Sequence, residues 1–160
     1  MEDLAFLRVD AVVRPAGAVL EPAASAAAQL DRQAGPHFAE QRRVARPLEA
    51  GAAVVTGAGE LTASLVLHVV IRDAEASVRR EVVRRALVSA WQRAREWGLR
   101  TIAAPPVGAG AGQLTLEDSA ELLAETFAAA RREEGPEELS IVVERESERA
   151  LVEAVVRRHA

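Results

Sequence analysis

Apolar and polar residues follow two rhythms along this chain. Five short runs, Asp10–Val13, Ala52–Thr56, Leu65–Ile71, Thr101–Ala104 and Leu139–Val143, are β-branched or continuously apolar and end at glycine, proline or polar residues. That pattern predicts strands. Leu65–Ile71 is apolar on both alternating faces except at His68, as expected of a central strand covered by helices on both sides. Longer segments between the runs repeat at helical spacing. Ala23–Ala34 is alanine-dense and closed by Gly35-Pro36, and a second helical stretch runs from His37 to about Ala45. Ser77–Trp97 places Val78, Val82, Ala86, Ala90, Ala94 and Trp97 on one stripe, so both Trp91 and Trp97 are expected in the core. Thr115, with Asp118 three residues later, starts a helix to about Arg132, and Glu146–Arg158 forms the last helix. Strands alternating with helices predict one three-layer α/β/α domain over 1–160, with a central mixed, largely parallel sheet.

Composition narrows the chemistry. The chain has 160 residues, a formal net charge of −4, no cysteine and 3% aromatic residues. It contains no Lys, Asn or Tyr, so every basic residue except three histidines is arginine. Thiolate sites, lysine Schiff bases and a Lys-dependent phosphate loop are excluded, and no cofactor or metal site is expected. No apolar run is long enough to span a bilayer and no signal peptide opens the chain, so a cytoplasmic protein without membrane contact is expected. The arginines of 79–85 are interrupted by Glu81 and read as a solvated helix face, not a nucleic-acid surface. His68 reads as a hydrogen-bonded core residue, not a general base.

In such folds ligands sit where strands lead into helices. Three junctions are candidates: Arg14–Ala28, Thr56–Leu61 and Pro105–Leu114. The last carries Gly108, Gly110 and Gly112, alternating with Ala109 and Ala111, before the Thr115 helix. It suits either a flexible connection or a backbone cradle for a phosphate or diphosphate.

Taken in chain order, four segments resemble the macro domain, an ADP-ribose-binding α/β/α module, over nearly the whole chain. They are Glu2-Asp3-Leu4, then Val9–Val13, then Thr56–Leu61 with Val66-Leu67-His68, then Ile102–Pro105 with Gly108–Gly112. The resemblance implies that Asp3 accepts from an adenine amino group, that Leu4 lies beside it, and that Gly108–Gly112 holds phosphate and ribose. It also exposes departures. Arg14-Pro15-Ala16-Gly17 stands where the family has Asn-Ala-Ala-Asn, and the following glycine-rich stretch reads Glu21–Ala28, with Ser25 among alanines. Arg14 is expected either to contact phosphate or to fill the pocket and pair with Glu21, and Gly17 and Ser25 remain ligand candidates. Ala27 stands where hydrolytic members often have an acid, so hydrolase or deacetylase activity is the least favoured reading. The leading expectation is non-catalytic binding of ADP-ribose or a related nucleotide diphosphate. The alternative is an interaction or assembly module that binds no nucleotide. The family's usual first strand has no counterpart here, and an unpaired sheet edge would invite a homodimer by strand addition.

Overall fold

The computed structural model describes residues 4–72, 78–110 and 113–159. Five strands form one sheet: β1 (Ala11–Ala16), β2 (Ala53–Gly57), β3 (Leu65–Val70), β4 (Thr101–Ala104) and β5 (Glu138–Ile141), in the order β2-β3-β1-β4-β5. The β2–β3 pair is antiparallel and the other three pairs are parallel. Five helices accompany them: α1 (Ser25–Ala34), α2 (Phe38–Gln41), α3 (Arg80–Glu96), α4 (Leu116–Arg132) and α5 (Glu146–Arg157). A 3-10 turn at Leu4–Phe6 precedes the sheet.

The period-two alternation of the strands divides the core into two layers. Val12, Val66 and Ala103 face Leu30, Ala34 and Phe38 of α1 and α2, joined by Leu4 and Ala5. Ala11, Val13, Leu67, Val69 and Ile102 face the opposite way, onto α3 and α4. Because β1 and β3 are covered on both sides, both read as nearly unbroken apolar runs. α5 packs on α4 through Val152, Val155 and Ala120. The fold is the three-layer α/β/α arrangement expected from the sequence.

β1 continues past its expected stop, through Arg14 and Pro15 to Ala16. Leu65 N–H donates to the Asp10 carbonyl and Ile71 N–H to that of Ala16, so the even-numbered peptides of β1 face β3. The odd-numbered ones face β4, where the pairing covers only Ala11 with Ile102 and Val12 with Ala103. Pro15 therefore lacks its N–H on the side where no ladder bond is required, and a central strand tolerates it. At that point β1 and β4 part, and the gap between them opens the cleft.

Two other boundaries differ from expectation. The stretch after His37 forms only the single turn of α2, after which the Arg42 side chain donates to the Leu20 carbonyl. α3 ends at Glu96, so Trp97 lies past the last helical turn and is 57% exposed, whereas Trp91 is buried. Trp91 meets Phe127 edge to face and its indole N–H donates to Thr126 Oγ1. The expected start of α3 at Ser77 lies outside the described residues.

The arginine face of α3 is drawn onto α4 by the pairs Arg80–Asp118 and Arg84–Glu125. The Thr115 hydroxyl accepts from the Asp118 N–H at 3.0 Å and so caps α4. Replacing Thr115 with alanine is expected to cost about 1 kcal/mol in urea unfolding, since one N-terminal donor loses its partner.

Candidate functional site

β1 connects through α1 toward β2 and β3 on one side of the sheet, whereas β3 connects through α3 to β4 on the other. The order reverses between β1 and β4, and the carboxyl ends of both strands open there. A cavity of about 700 Å³ lies at this point. Its walls are Pro15 from β1, Ala24, Ser25, Ala26, Gln29 and Leu30 from the start of α1, and Pro105 and Pro106 after β4. Ala109, Gly110, Leu114, Thr115 and Leu116 continue the wall, and Leu4 with Val142, Val143, Glu144 and Glu148 closes the far end.

The two helices that start at this cavity differ electrostatically. α4 is capped by Thr115 and carries Glu117 and Asp118 in its first turn, so its positive end is already met by its own residues. The N-cap of α1, Ala24, makes no side-chain hydrogen bond, and the first turn of α1 has no acidic residue. The N–H groups of Ser25, Ala26 and Ala27 have no carbonyl to reach in their own helix. Ser25 and Ala26, which carry two of these donors, line the cavity, so two donors and an uncompensated dipole end meet it at α1, the arrangement that suits an anion.

The glycine loop is more closed than the sequence suggests. Ala109 N–H donates to Pro106, Gly110 N–H to Leu114, Gln113 N–H to Gly110 and Leu114 N–H to Gly108. Gly108 and Gly110 have φ values of +82° and +154°, which explains glycine at both. The loop still forms a wall through Ala109 and Gly110, but both of their amides are spent within it. Ala111 and Gly112 lie outside the described residues, as does Asp3. Leu4 lines the cavity, and so does Ser25, whereas Gly108 is not among its lining residues.

Arg14 and Gly17 are elsewhere. Arg14 is fully buried on the α1 side of the sheet, where its guanidinium meets Asp31 of α1 with two bonds of 2.7 and 2.8 Å. It neither pairs with Glu21 nor lines the cavity, because the longer β1 directs its side chain beneath α1. A third nitrogen lies 3.2 Å from His68 Nδ1. The Thr56 hydroxyl spends its hydrogen on the Gly57 carbonyl, so His68 Nε2, 2.7 Å away, must donate to it. That leaves Nδ1 bare to accept from Arg14, and the imidazole is neutral. Burial first, then the charges of Arg14 and Arg42, lower the His68 pKa from 6.5 to about 3. Phe38 stacks on the ring at 5.8 Å and seals it. His68 is a core residue, as expected, and its role is structural. Gly17 donates to the Glu21 carbonyl, and a Cβ on it would overlap the Glu21 carboxylate.

The junction Thr56–Leu61 lies at the opposite end of the sheet, because β2 runs antiparallel to β3. Its Gly59 and Glu60 border a separate hollow of about 310 Å³ with His37 and Glu40. His159, just past α5, lies 2.6 Å from Glu121 of α4. Among the described residues no cluster of His, Asp or Glu could hold a metal ion. The sequence signal overlooked for the site was the acid-free, uncapped first turn of α1. The cavity walls from Val142 to Glu148 are united with it only by tertiary structure.

Comparison with known proteins agrees with this architecture. The family model for the macro domain matches residues 13–123. An uncharacterized protein of Mycobacterium tuberculosis is 30% identical over 121 residues, which are 76% of this chain and 34% of that protein. The chain thus spans about a third of the length of this relative. A macro domain-containing protein of Caldanaerobacter subterraneus is 30% identical over 120 residues, covering 71% of this chain and 69% of its own. Among solved structures, the Oceanobacillus iheyensis macrodomain with ADP superposes with a TM-score of 0.84 at 16% identity, covering 98% of this chain and 87% of that one. The Trypanosoma brucei macrodomain in complex with ADP-ribose gives 0.79 at 21% identity, covering 93% of this chain and 64% of that one. From the sheet order, the cleft at its switch point and the matched family model, the chain belongs to the macro domain family.

Proposed function

We propose that this domain binds a nucleotide diphosphate, with ADP-ribose the first ligand to try, and that it does so without catalysis. One observation carries the reading: the uncompensated N-terminus of α1 and the wall of Ala109 and Gly110 face one cavity at the switch point of the sheet. A volume of about 700 Å³ falls within the range of small-molecule sites. The diphosphate belongs at Ser25 and Ala26, and the base belongs in the apolar slot of Leu4, Val142 and Val143. Glu144, at the rim of that slot, is suited to accept from an exocyclic amine and unsuited to lie near phosphate. The non-catalytic part is supported by the carboxylates lying at the base end, away from the anion end. Glu148 is moreover occupied as a cap, accepting from the Arg145 N–H at 3.0 Å.

Titration calorimetry with ADP-ribose is expected to give saturable binding that Gly110→Val weakens at least tenfold. A Cβ at Gly110 approaches only the flexible Gln113 amide, at 3.1 Å, so the change acts mainly on the cavity wall, although the φ of +154° disfavours it. A thermal melt of the variant checks that it folds. No heat at millimolar ADP-ribose overturns the reading. Release of ADP-ribose from a modified protein would overturn its non-catalytic part. The self-bonded amides of Ala109 and Gly110 favour a second reading, an assembly module that binds no nucleotide. Absent binding together with a stable oligomer in light scattering would support it.

A further inference from the structure

Resting on that reading, we propose that the cavity recognises a nucleoside diphosphate and is indifferent to the group attached beyond the second phosphate. The cavity wall next to the anion end consists of Pro15 and Ala24, and no residue between Gly17 and Ala23 lines it. The reason is the fold of the β1–α1 connection. Ala16 and Pro22 pair in an isolated bridge, Gly17 N–H donates to the Glu21 carbonyl, and Leu20 N–H returns to Gly17. The Glu21 carboxylate accepts from the Val19 N–H, so it too is turned into the connection.

The connection is also pinned from outside. Leu20 is 1% exposed and packs with Val70, Val44 and Leu48, on the side toward β3 and β2 and away from the cavity. Its carbonyl accepts from the Arg42 guanidinium at 2.9 Å, and the Ala18 carbonyl accepts from the Leu48 N–H at 2.7 Å. Leu20 holds φ +60°, a left-handed conformation that a leucine keeps only when its surroundings impose it. Opening this segment over a ligand would break these bonds and expose Leu20.

A terminal sugar gains affinity only where oriented protein groups replace the water on its hydroxyls. Here the N–H groups of Gly17, Val19 and Leu20 and the carbonyls of Gly17, Ala18, Leu20 and Glu21 are bound within the connection or to Arg42 and Leu48, and none of residues 17–22 lines the cavity. The terminal group therefore stays hydrated, and its chemical identity carries little weight. The ligand class that follows is any nucleoside 5′-diphosphate, free or bearing a substituent on its outer phosphate.

The test compares ADP, ADP-ribose and ADP-glucose by calorimetry on the unaltered protein. The expected dissociation constants agree within fivefold. ADP-ribose binding more than fivefold tighter than ADP overturns the proposal while leaving the nucleotide-binding reading intact. Failure of all three to bind overturns both. Amide NMR supplies a second readout. Signals of Ser25 and Ala26 are expected to shift alike with ADP and ADP-ribose, and those of Gly17, Ala18 and Leu20 to stay in place. Shifts of the latter set with ADP-ribose alone overturn the proposal.

Discussion

Replacing Asp31 with alanine is expected to lower the unfolding free energy by about 3–5 kcal/mol, read from urea denaturation. Asp31 is the only carboxylate that the described contacts place against Arg14, whose side chain is wholly buried and cannot lose its proton. Arg42 already lies 3.7 Å from the same carboxylate, and one of its nitrogens, Nε, is buried without a hydrogen-bond partner. Both guanidinium groups also approach the Phe38 ring, at 5.8 and 5.9 Å from its centroid. Without Asp31, two cations share an apolar space with a neutral histidine and one aromatic face. The magnitude reflects the stranded charge of Arg14 more than the net worth of the pair. For that reason the double variant Arg14→Met with Asp31→Leu is expected to lose less than Asp31→Ala alone. A loss below 1 kcal/mol for Asp31→Ala would contradict the account.

The second large effect is a pH dependence carried by His68. Its pKa is about 3 in the folded protein, against 6.5 for an ordinary imidazole. Between those values the unfolded chain binds the proton that the native state refuses, so stability rises with pH across that window. The contribution is complete above pH 6.5, falls by about 1.4 kcal/mol per unit as pH drops, and changes no further below pH 3. Its span is on the order of 5 kcal/mol. Other groups titrate over the same range, so the measurement is the difference between the native protein and His68→Gln. Gln retains a donor for Thr56 and an acceptor for Arg14 while carrying no titratable proton. The difference in unfolding free energy between the two is expected to slope between pH 4 and 6.5. A flat difference would mean that His68 is protonated, or solvated, in the native state.

Both effects arise in residues that a reading by family pattern assigns to the ligand or leaves unassigned. Arg14 stands where the resemblance implies a ribose-contacting asparagine, and its expected partner is either a ligand phosphate or Glu21. The sequence carries no sign of Asp31 as that partner, because the pairing depends on how far β1 extends and on the seating of α1 above it. Pro15 marks the end of the strand by local chemistry, since it offers no N–H to a ladder. What allowed it inside a central strand was the early departure of β4, a fact of pairing and not of the residue itself. Trp97 shows the converse: its position fits the α3 stripe by count, but the helix stops one residue before it.

The layered α/β/α fold, the positions of all five strands, the capped start of α4 and the burial of His68 and Trp91 were legible in the sequence. Each rests on local periodicity or on side-chain chemistry within a few residues, and such signals survive in one dimension. Tertiary structure alone decided which donors face the cleft. The glycine loop, conspicuous in the sequence, closes on its own carbonyls, whereas the plain alanine-rich start of α1 brings free N–H groups to the switch point. Hydrogen bonds between distant segments determine whether a backbone amide is free, and residue types record that only indirectly.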